Sequence, residues 1–299
     1  MKIVAVFGPT GVGKTAVAVE LADLLRERGE EPVAVSCDAI QVYRGLGLIS
    51  GAPRAAERER LEHRLVATVP LDDEFSAGRF AEVAREQIDG LLAEGRRPIV
   101  VGGTGLYMRA ALAELDLRPP VAPEVRKLVE AQIGELGAAA MHAELDADVA
   151  GRVHPNDRKR VARALELQRS GLDPPERGGE LWTARLRHPT VLVGIVVDRE
   201  SLADRIDARV EEMVAAGAVE EARRADREEI SRTARSALGF DELIVGDLEG
   251  VKAAHRRYAR RQMTWLRKMD GVEVVDRTGI DDREAAEAAL ALIDTEPGP

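Results

Sequence analysis

The chain has one cysteine, Cys37, among its 299 residues. A single cysteine excludes an internal disulfide and a zinc site built from cysteines, and it suits a reducing compartment. Long hydrophobic runs are also missing, since no apolar stretch approaches the ~20 residues that span a membrane. The apolar run that ends at Phe7 stops at Gly8, so it is typical of a core strand rather than a signal peptide. We therefore expect a cytoplasmic protein with no membrane partner.

The net charge of −10 argues weakly against a nucleic-acid partner. The basic residues are clustered, however. Residues 255–268 hold five arginines and one lysine without an acid, and residues 152–163 hold four arginines and one lysine against Asp157. Two of the nine aromatic residues, Tyr258 and Trp265, lie in the first cluster. It is either a nucleic-acid surface or a solvated helix face, and Trp265 is equally typical of a core position.

A complete phosphate-loop motif, G-x-x-x-x-G-K-[ST], lies between a strand-like run and the helical pattern Ala16–Arg28. Its glycines let backbone N–H groups surround an anion, Lys14 adds a full positive charge, and the Thr15 hydroxyl suits Mg²⁺. The motif predicts a site for a di- or triphosphate, and it does not tell ATP from a diphosphate ligand. The residues predicted to bind it are Gly8, Pro9, Thr10, Gly11, Val12, Gly13, Lys14 and Thr15.

The order of strand-like and helical patterns predicts an α/β fold. Helical patterns separate the strand-like runs, which favours a phosphate-loop NTPase-like core with a parallel sheet and helices on both faces. Ligands of such sheets bind at the carboxyl ends of the strands, so the phosphate loop, Asp38 and residues 102–104 should line one crevice. The predicted strands are Lys2–Phe7, Pro32–Ser36, Pro98–Val101, Thr190–Val197 and, more weakly, Gly271–Val275.

A helical insertion interrupts this pattern. Three prolines in Leu117–Pro123 break the alternation, and the chain then reads as helices to about Ser170. A polar loop, Pro174–Gly179, follows before strand-like sequence resumes at Thr190. We predict a core formed by residues 1–117 and 189–299, and an inserted helical lobe at residues 118–188.

Two polar side chains follow the second strand. Asp38 ends an apolar run, and an acid at this place is either a ligand of Mg²⁺ or a catalytic base. Gln41 carries the paired donor and acceptor that suit an adenine edge, although an ordinary loop amide would look the same.

Three further side chains are candidates for binding a phosphate. Thr104 follows a glycine-rich turn and would donate to a phosphate or cap a helix. Arg205 and Arg209 lie one helical turn apart and would close over a diphosphate, or else form surface ion pairs with acids of the same helix.

These pieces occur together and in the same order in one family. The chain resembles the bacterial tRNA dimethylallyltransferases, also called tRNA isopentenyltransferases, of the IPP transferase family. The phosphate loop alone is generic, but the whole set is specific and spans nearly the whole chain. The segments that carry the resemblance are Gly8–Thr15, Asp38–Gly45, Val101–Tyr107, Val153–Glu166, Arg205–Met213 and Ala259–Trp265.

The resemblance implies that a dimethylallyl group passes from dimethylallyl diphosphate to N6 of the adenosine 3′-adjacent to the anticodon, in tRNAs reading codons that start with U. It implies Asp38 as the base, and Lys14, Thr15 with Mg²⁺, Arg205 and Arg209 as the groups that stabilise the leaving diphosphate. We expect a monomer whose inserted lobe grips the anticodon arm. The residues implied to contact tRNA are Asp38, Ala39, Ile40, Gln41, Thr104, Arg126, Arg158, Arg160, Arg163, Arg260 and Arg261.

The chain departs from the family pattern at three places. Asp38-Ala-Ile-Gln41 stands where Asp-Ser-Met-Gln is usual, so a hydroxyl is missing beside the base. The run Gly47–Pro53 lacks the usual Asp and Lys, and Glu62-His63 replaces a His pair. These changes affect groups around the base and the phosphate loop rather than Asp38 and Lys14 themselves.

Three other functions fit part of the pattern. A small-molecule phosphate-loop kinase leaves the basic insertion and residues 260–265 unexplained. An isopentenyltransferase acting on free adenine nucleotides needs no lobe for the anticodon arm. A catalytically weak tRNA-binding protein has no need of the intact Asp38 and Lys14.

Overall fold

The computed structural model of the chain describes residues 1–115, 117–173 and 185–295. The chain divides into a larger unit, Met1–Leu115 with Glu180–Pro299, and a smaller unit, Asp116–Gly179. The polar loop Pro174–Gly179 lies outside the described residues. The predicted limits of the insertion, 118 and 188, stay a prediction because its C-terminal limit falls beside the undescribed residues 174–184.

A parallel sheet forms the centre of the larger unit. Within the described ranges it has six strands in the order β3-β2-β4-β1-β5-β6. The five predicted strands are confirmed to within one residue at each end, whereas β3 was missed because two residues are too short to show alternation. The strands are β1 Ile3–Phe7, β2 Pro32–Ser36, β3 His63–Arg64, β4 Arg97–Gly102, β5 Thr190–Val196 and β6 Val272–Asp276.

The helices follow the strands in the way expected of a doubly wound fold. Those of the larger unit are α1 Lys14–Glu27, α2 Gly47–Ser50, α3 Ala55–Arg60, α4 Ala77–Ala93, α5 Gly105–Leu112, α10 Arg199–Ala215, α11 Ala218–Asp226, α12 Arg232–Arg235, α13 Phe240–Val245, α14 Leu248–Lys268 and α15 Asp282–Asp294. Those of the smaller unit are α6 Pro123–Leu136, α7 Ala138–His142, α8 Ala147–Ala150 and α9 Arg158–Arg169. None of these helices is long and apolar enough to cross a membrane.

Helices cover both faces of the sheet, as predicted. The connections β1 to β2 and β3 to β4 cross the sheet in opposite directions, so right-handed crossovers put α1 and α4 on opposite faces. On one face, Leu21 and Leu25 of α1 pack with α15 against β1. On the other, the rings of Phe80 of α4 and Tyr107 of α5 contact each other, with centroids 4.6 Å apart and planes tilted by 50°.

The strand register brings the candidate site to one edge of the sheet. Phe7, the last residue of β1, pairs with Gly102 of β4 and with Gly194 of β5. Ser36, the last residue of β2, pairs with Val101 of β4. The chain therefore leaves β1, β2 and β4 at the same level, as the rule for parallel sheets requires of a ligand crevice.

The smaller unit has its own core. Val129 and Ile133 of α6 pack with Val161 and Leu165 of α9. Helix α6 begins with a proline at its first position, where the missing N–H costs no helical bond. The described part of this unit is thus a helical assembly, as the pattern after the prolines predicted.

A buried arginine ties the end of β6 to the phosphate loop. The Arg277 guanidinium donates from Nη1 to the Val12 carbonyl at 2.9 Å, and its Nη2 lies 2.6 Å from Asp282 at the start of α15. A Cβ added to Gly13 would lie 2.1 Å from Arg277 Nη1. The guanidinium thus occupies space that only a glycine at position 13 leaves free.

Replacing Arg277 with methionine should lower the free energy of unfolding by about 2 kcal/mol, because the Val12 carbonyl loses a buried charged donor. The matched control is Arg283→Met in α15, whose guanidinium is exposed and pairs with the exposed Glu27. That change should cost far less, since exposed ion pairs contribute little. Urea denaturation followed by circular dichroism measures both variants, and equal losses would contradict this role of Arg277.

Candidate active site

The phosphate loop adopts a conformation that requires its glycines. Gly11 and Gly13 have φ of 82° and 90°, in the left-handed region that L-residues with a Cβ rarely adopt. A Cβ on Gly8 would lie 2.5 Å from the Ile195 carbonyl oxygen of β5. Helix α1 begins at Lys14, two residues earlier than predicted, so Lys14 and Thr15 form the start of its first turn. The glycine conformations and the helix N-terminus are those that the motif predicts, and anion binding by this loop stays a prediction.

Lys14 is half-buried and carries an unusually low pKa. Its Nζ donates to the Pro9 carbonyl at 2.9 Å across the loop. Burial, together with the positive charge of Arg209, lowers the pKa of Lys14 to about 7, while the carboxylate of Asp38 acts in the opposite direction. These influences place Lys14, Arg209 and Asp38 in one site. An arriving diphosphate would restore the lysine charge that burial disfavours.

The two arginines of α10 differ in their surroundings. Arg209 packs its guanidinium against Gly51, where an added Cβ would lie 1.6 Å from Nη2. Burial lowers the pKa of Arg209, and the Asp38 carboxylate opposes this shift. Arg205 is exposed, although its neighbour Ile206 lies 2.9 Å from the position of a Cβ on Gly11. Arg209 is thus inside the predicted site, and Arg205 lies on the part of α10 that passes the phosphate loop.

The carboxylate of Asp38 is fixed by the turn that follows it. Its Oδ1 accepts the backbone N–H of Ile40 at 2.9 Å and that of Gln41 at 3.3 Å. Asp38, Ala39 and Ile40 are half-buried. This bonding to the N–H groups two and three residues ahead is the Asx-turn habit of aspartate, and it orients the carboxylate without help from a distant residue.

The Gln41 amide is engaged on both sides. Its Oε1 accepts the Ser36 hydroxyl at 2.8 Å, and its Nε2 donates to the Gly51 carbonyl at 3.2 Å. Gly51 therefore contacts both Gln41 and Arg209. The segment Gly47–Pro53, which departs from the family pattern, supplies the glycine on which these two side chains rest. That Gln41 reads an adenine stays a prediction.

The glycine-rich turn after β4 packs against one face of α14. Thr104 occupies the N-cap position of α5 without a side-chain bond to the helix, and its hydroxyl lies 2.8 Å from the Tyr258 hydroxyl. Burial and the nearby Asp38 raise the pKa of Tyr258 to about 12. A Cβ on Gly105 would lie 2.1 Å from the ring of Trp265. Both aromatic residues thus contact this turn, and Trp265 is half-buried there rather than in the core.

Two residues with contacts at the site were missed in the sequence. Gln262 of α14 binds both the phosphate loop and the turn after β4, and Arg277 binds the phosphate loop from the opposite side. Gln262 lies four residues after Tyr258 and three before Trp265, so helical spacing alone puts the three on one face. Arg277 has no such signal, because its partners are distant in the sequence.

The basic residues predicted to contact tRNA fall into two groups. Arg158 and Arg160 of the smaller unit, and Arg260 and Arg261 of α14, are exposed. Arg261 also lies over the ring of Tyr258, 5.3 Å from its centroid.

Arg126 and Arg163 serve the packing of the smaller unit. Both approach the buried carboxylate of Glu166, at 3.7 Å and 3.3 Å. Arg163 also donates to the carbonyl of Pro119 at 2.8 Å. These two side chains therefore already have partners within the unit.

The residues at the loop fit Mg²⁺ only together with a diphosphate. Across the described ranges, no group of three or more His, Cys, Asp and Glu side chains is placed to hold a metal ion. Thr15 offers a hydroxyl in the first turn of α1, beside Lys14. Mg²⁺ commonly takes one or two protein oxygens and fills its shell with phosphate oxygens and water, so this donor set suits it once a diphosphate is bound.

Comparison with known proteins gives a consistent result. The model of the IPP transferase family matches residues 41–269. The tRNA dimethylallyltransferase of Anaeromyxobacter dehalogenans (strain 2CP-C) is 42% identical over 289 residues, which cover 91% of this chain and 94% of that protein.

Two solved structures share the fold. The full-length tRNA isopentenylpyrophosphate transferase from Bacillus halodurans is 32% identical, with a TM-score of 0.69 and coverage of 98% of this chain and 95% of that one. A eukaryotic dimethylallyltransferase acting on tRNA has a TM-score of 0.74 at 24% identity, over 93% of this chain and 74% of its own. The second likeness supports the fold alone.

The matched family model covers most of the chain, and the curated relative aligns with nine-tenths of it. Four of the six segments that carried the resemblance in the sequence lie at the site described above: the phosphate loop, the Asp38 turn, the glycine-rich turn and the basic helix α14. The chain therefore belongs to the IPP transferase family.

Proposed function

We propose that the chain transfers a dimethylallyl group from dimethylallyl diphosphate to N6 of the adenosine 3′-adjacent to the anticodon, in tRNAs reading codons that start with U. The observation that carries the proposal is the position of Asp38 within the electrostatic reach of both Lys14 and Arg209. A base and a diphosphate cradle then share one crevice. This arrangement suits a reaction that forms a C–N bond while the nitrogen loses a proton and the carbon loses a diphosphate.

The donor half is the phosphate loop. As the allylic C–O bond breaks, negative charge grows on the diphosphate, and preorganised donors stabilise it best in a site that excludes water. The loop amides, Lys14 and Arg209 supply these donors. Mg²⁺, held by Thr15 and the diphosphate oxygens, would neutralise part of the same charge. Arg205, one helical turn before Arg209 in α10, would add a second guanidinium.

The acceptor half is the turn that begins at Asp38. The lone pair of N6 is delocalised into the adenine ring, so removing a proton as the C–N bond forms makes N6 a better nucleophile. The proton passes to the Asp38 carboxylate, the C–N bond forms and the C–O bond breaks, releasing diphosphate. The adenosine must leave its stack to reach this crevice, where Gln41 and Thr104 would contact it.

The basic surfaces would hold the tRNA backbone. Arg158 and Arg160 of the smaller unit, and Arg260 and Arg261 of α14, are exposed, which supports a role in binding phosphates. Binding should therefore weaken as salt rises. We propose that the protein works as a monomer in the cytoplasm on the anticodon arm.

The decisive assay incubates the protein with dimethylallyl diphosphate, Mg²⁺ and an unmodified tRNA whose anticodon ends in A and is followed directly by adenosine. Nucleoside mass analysis should find prenylated adenosine, and release of one diphosphate per modified tRNA. The same reaction with free AMP separates this function from an isopentenyltransferase of nucleotides. Phosphorylation of a metabolite by ATP, with no prenylated adenosine, would establish a kinase and overturn the proposal.

Replacing Asp38 with asparagine should lower kcat at least about a hundredfold, since it removes the base but keeps an oxygen that accepts the turn amides. The affinity for tRNA should stay within about twofold, because the missing interaction acts only in the transition state. Single-turnover kinetics and filter binding measure the two quantities.

The control for this substitution is Asp247→Asn at the N-cap of α14, where the carboxylate accepts the Gly250 amide. Asparagine caps helices about as well as aspartate, so turnover should be unchanged. Full activity of the Asp38→Asn variant would show that Asp38 is not the base.

The affinity for dimethylallyl diphosphate should fall as the pH rises from 7.5 to 9.5. Lys14 has a pKa of about 7 in the free protein, so above that pH it is neutral and must take up a proton to meet the anion. The dissociation constant should rise by up to about tenfold per pH unit. Phosphates are fully ionised in this range, so the ligand itself adds no trend.

Isothermal titration calorimetry in buffers of different ionisation enthalpy measures the affinity and the proton uptake together. The control is Lys14→Met, which should bind weakly and without this pH dependence. A wild-type affinity that is constant over the range, with no proton uptake, would contradict a neutral Lys14 in the free protein.

A further inference from the structure

One face of α14 contacts three consecutive residues of the turn after β4. Tyr258 meets Thr104, Gln262 meets Gly103, and Trp265 meets Gly105. The spacing of four and three residues puts these side chains in a row along the helix. The helix therefore fixes three consecutive residues of the turn rather than touching it at one point.

Of these three side chains, Gln262 also contacts the phosphate loop. Its Nε2 donates to the Gly103 carbonyl at 2.8 Å, and its Oε1 accepts the Thr10 N–H of the phosphate loop at 2.7 Å. The residue is 4% exposed. One buried amide thus joins two loops that follow different strands, with both its donor and its acceptor used.

The sequence of the turn makes room for this bridge. A Cβ on Gly103 would lie 2.1 Å from Gln262 Nε2 and 2.9 Å from the Gly8 carbonyl oxygen. Gly103 thus lets the β4 turn, the phosphate loop and the amide approach one another closely.

We propose that Gln262 is a positioning residue that holds the phosphate loop at a fixed distance from the 103–105 turn. The inference rests on the proposed function in taking the phosphate loop as the donor side and the Thr104 turn as the acceptor side. The amide sets the spacing of the two substrates without touching either. Small displacements at such a site are costly, since a shift of about 1 Å lowers turnover roughly a hundredfold.

The bridge has no ready substitute. Without the amide, the Thr10 N–H and the Gly103 carbonyl each lose a buried partner. One of the two loops must then move for these groups to be hydrogen-bonded by water. Gln262→Met keeps the length and burial of the side chain but neither hydrogen bond. Gln262→Glu keeps an acceptor for Thr10 and places a carboxylate oxygen against the Gly103 carbonyl, so it breaks one side of the bridge only.

Two measurements on the full chain test the role. Hydrogen exchange of the Thr10 amide should speed up at least about tenfold in Gln262→Met, because opening of the loop no longer breaks a buried bond. The dissociation constant of dimethylallyl diphosphate with Mg²⁺, in the absence of tRNA, should rise roughly tenfold. Gln262→Glu should weaken this binding as well and leave the Thr10 amide better protected than in Gln262→Met.

The matched control is Gln87→Glu in α4, where the amide oxygen accepts from Arg64 at the β3 edge of the sheet. It should change neither quantity. Both quantities are measured at a temperature well below the unfolding midpoint of each variant, so that a loss of folded protein does not affect them. Unchanged exchange at Thr10 together with unchanged affinity in Gln262→Met would overturn the inference. If the wild-type protein bound no dimethylallyl diphosphate, the proposed function would fail, and the exchange of Thr10 would still decide the role of Gln262.

Discussion

Two positive groups, the ammonium of Lys14 and the guanidinium of Arg209, share a partly buried crevice that also contains the carboxylate of Asp38. Bringing like charges together out of water is unfavourable, and the protein shows this cost in the pKa of Lys14, which falls to about 7. A diphosphate removes the conflict, because its charge favours the protonated lysine and balances the arginine. The site is thus most complementary to a ligand whose negative charge grows during the reaction.

The rest of the larger unit keeps this crevice in shape. The parallel register brings the ends of β1, β2 and β4 to one level, and the Asx turn at Asp38 fixes the base by local bonds. The phosphate loop is held from two sides, by Gln262 at Thr10 and by Arg277 at Val12. A loop this rich in glycine depends on such contacts for a single conformation.

Much of this fold could be predicted from the sequence because the signals are local. The phosphate loop combines a motif with its strand and helix, and the five longer strands are apolar runs bounded by turns. The two-residue strand β3 has no such signal, since its pairing with β2 is a tertiary event. The ends of strand-like runs pointed to Asp38 and Thr104, and the resemblance to a family implied their roles. The different surroundings of Arg205 and Arg209 follow only from how α10 crosses Gly51. Helical spacing with Tyr258 and Trp265 gives the face on which Gln262 lies, but no local pattern reveals which residues Gln262 and Arg277 contact. Both act on phosphate-loop residues more than two hundred positions away.

The most direct test is a crystal structure of the Asp38→Asn variant with dimethylallyl diphosphate, Mg²⁺ and an anticodon stem-loop. The diphosphate should lie within the Gly8–Thr15 loop, bonded to Lys14 and Arg209, with the allylic carbon on the side of residue 38. The adenine N6 should lie between that carbon and the substituted side chain at position 38. A diphosphate bound outside the loop, or an adenine directed away from residue 38, would contradict the shared crevice on which this account depends.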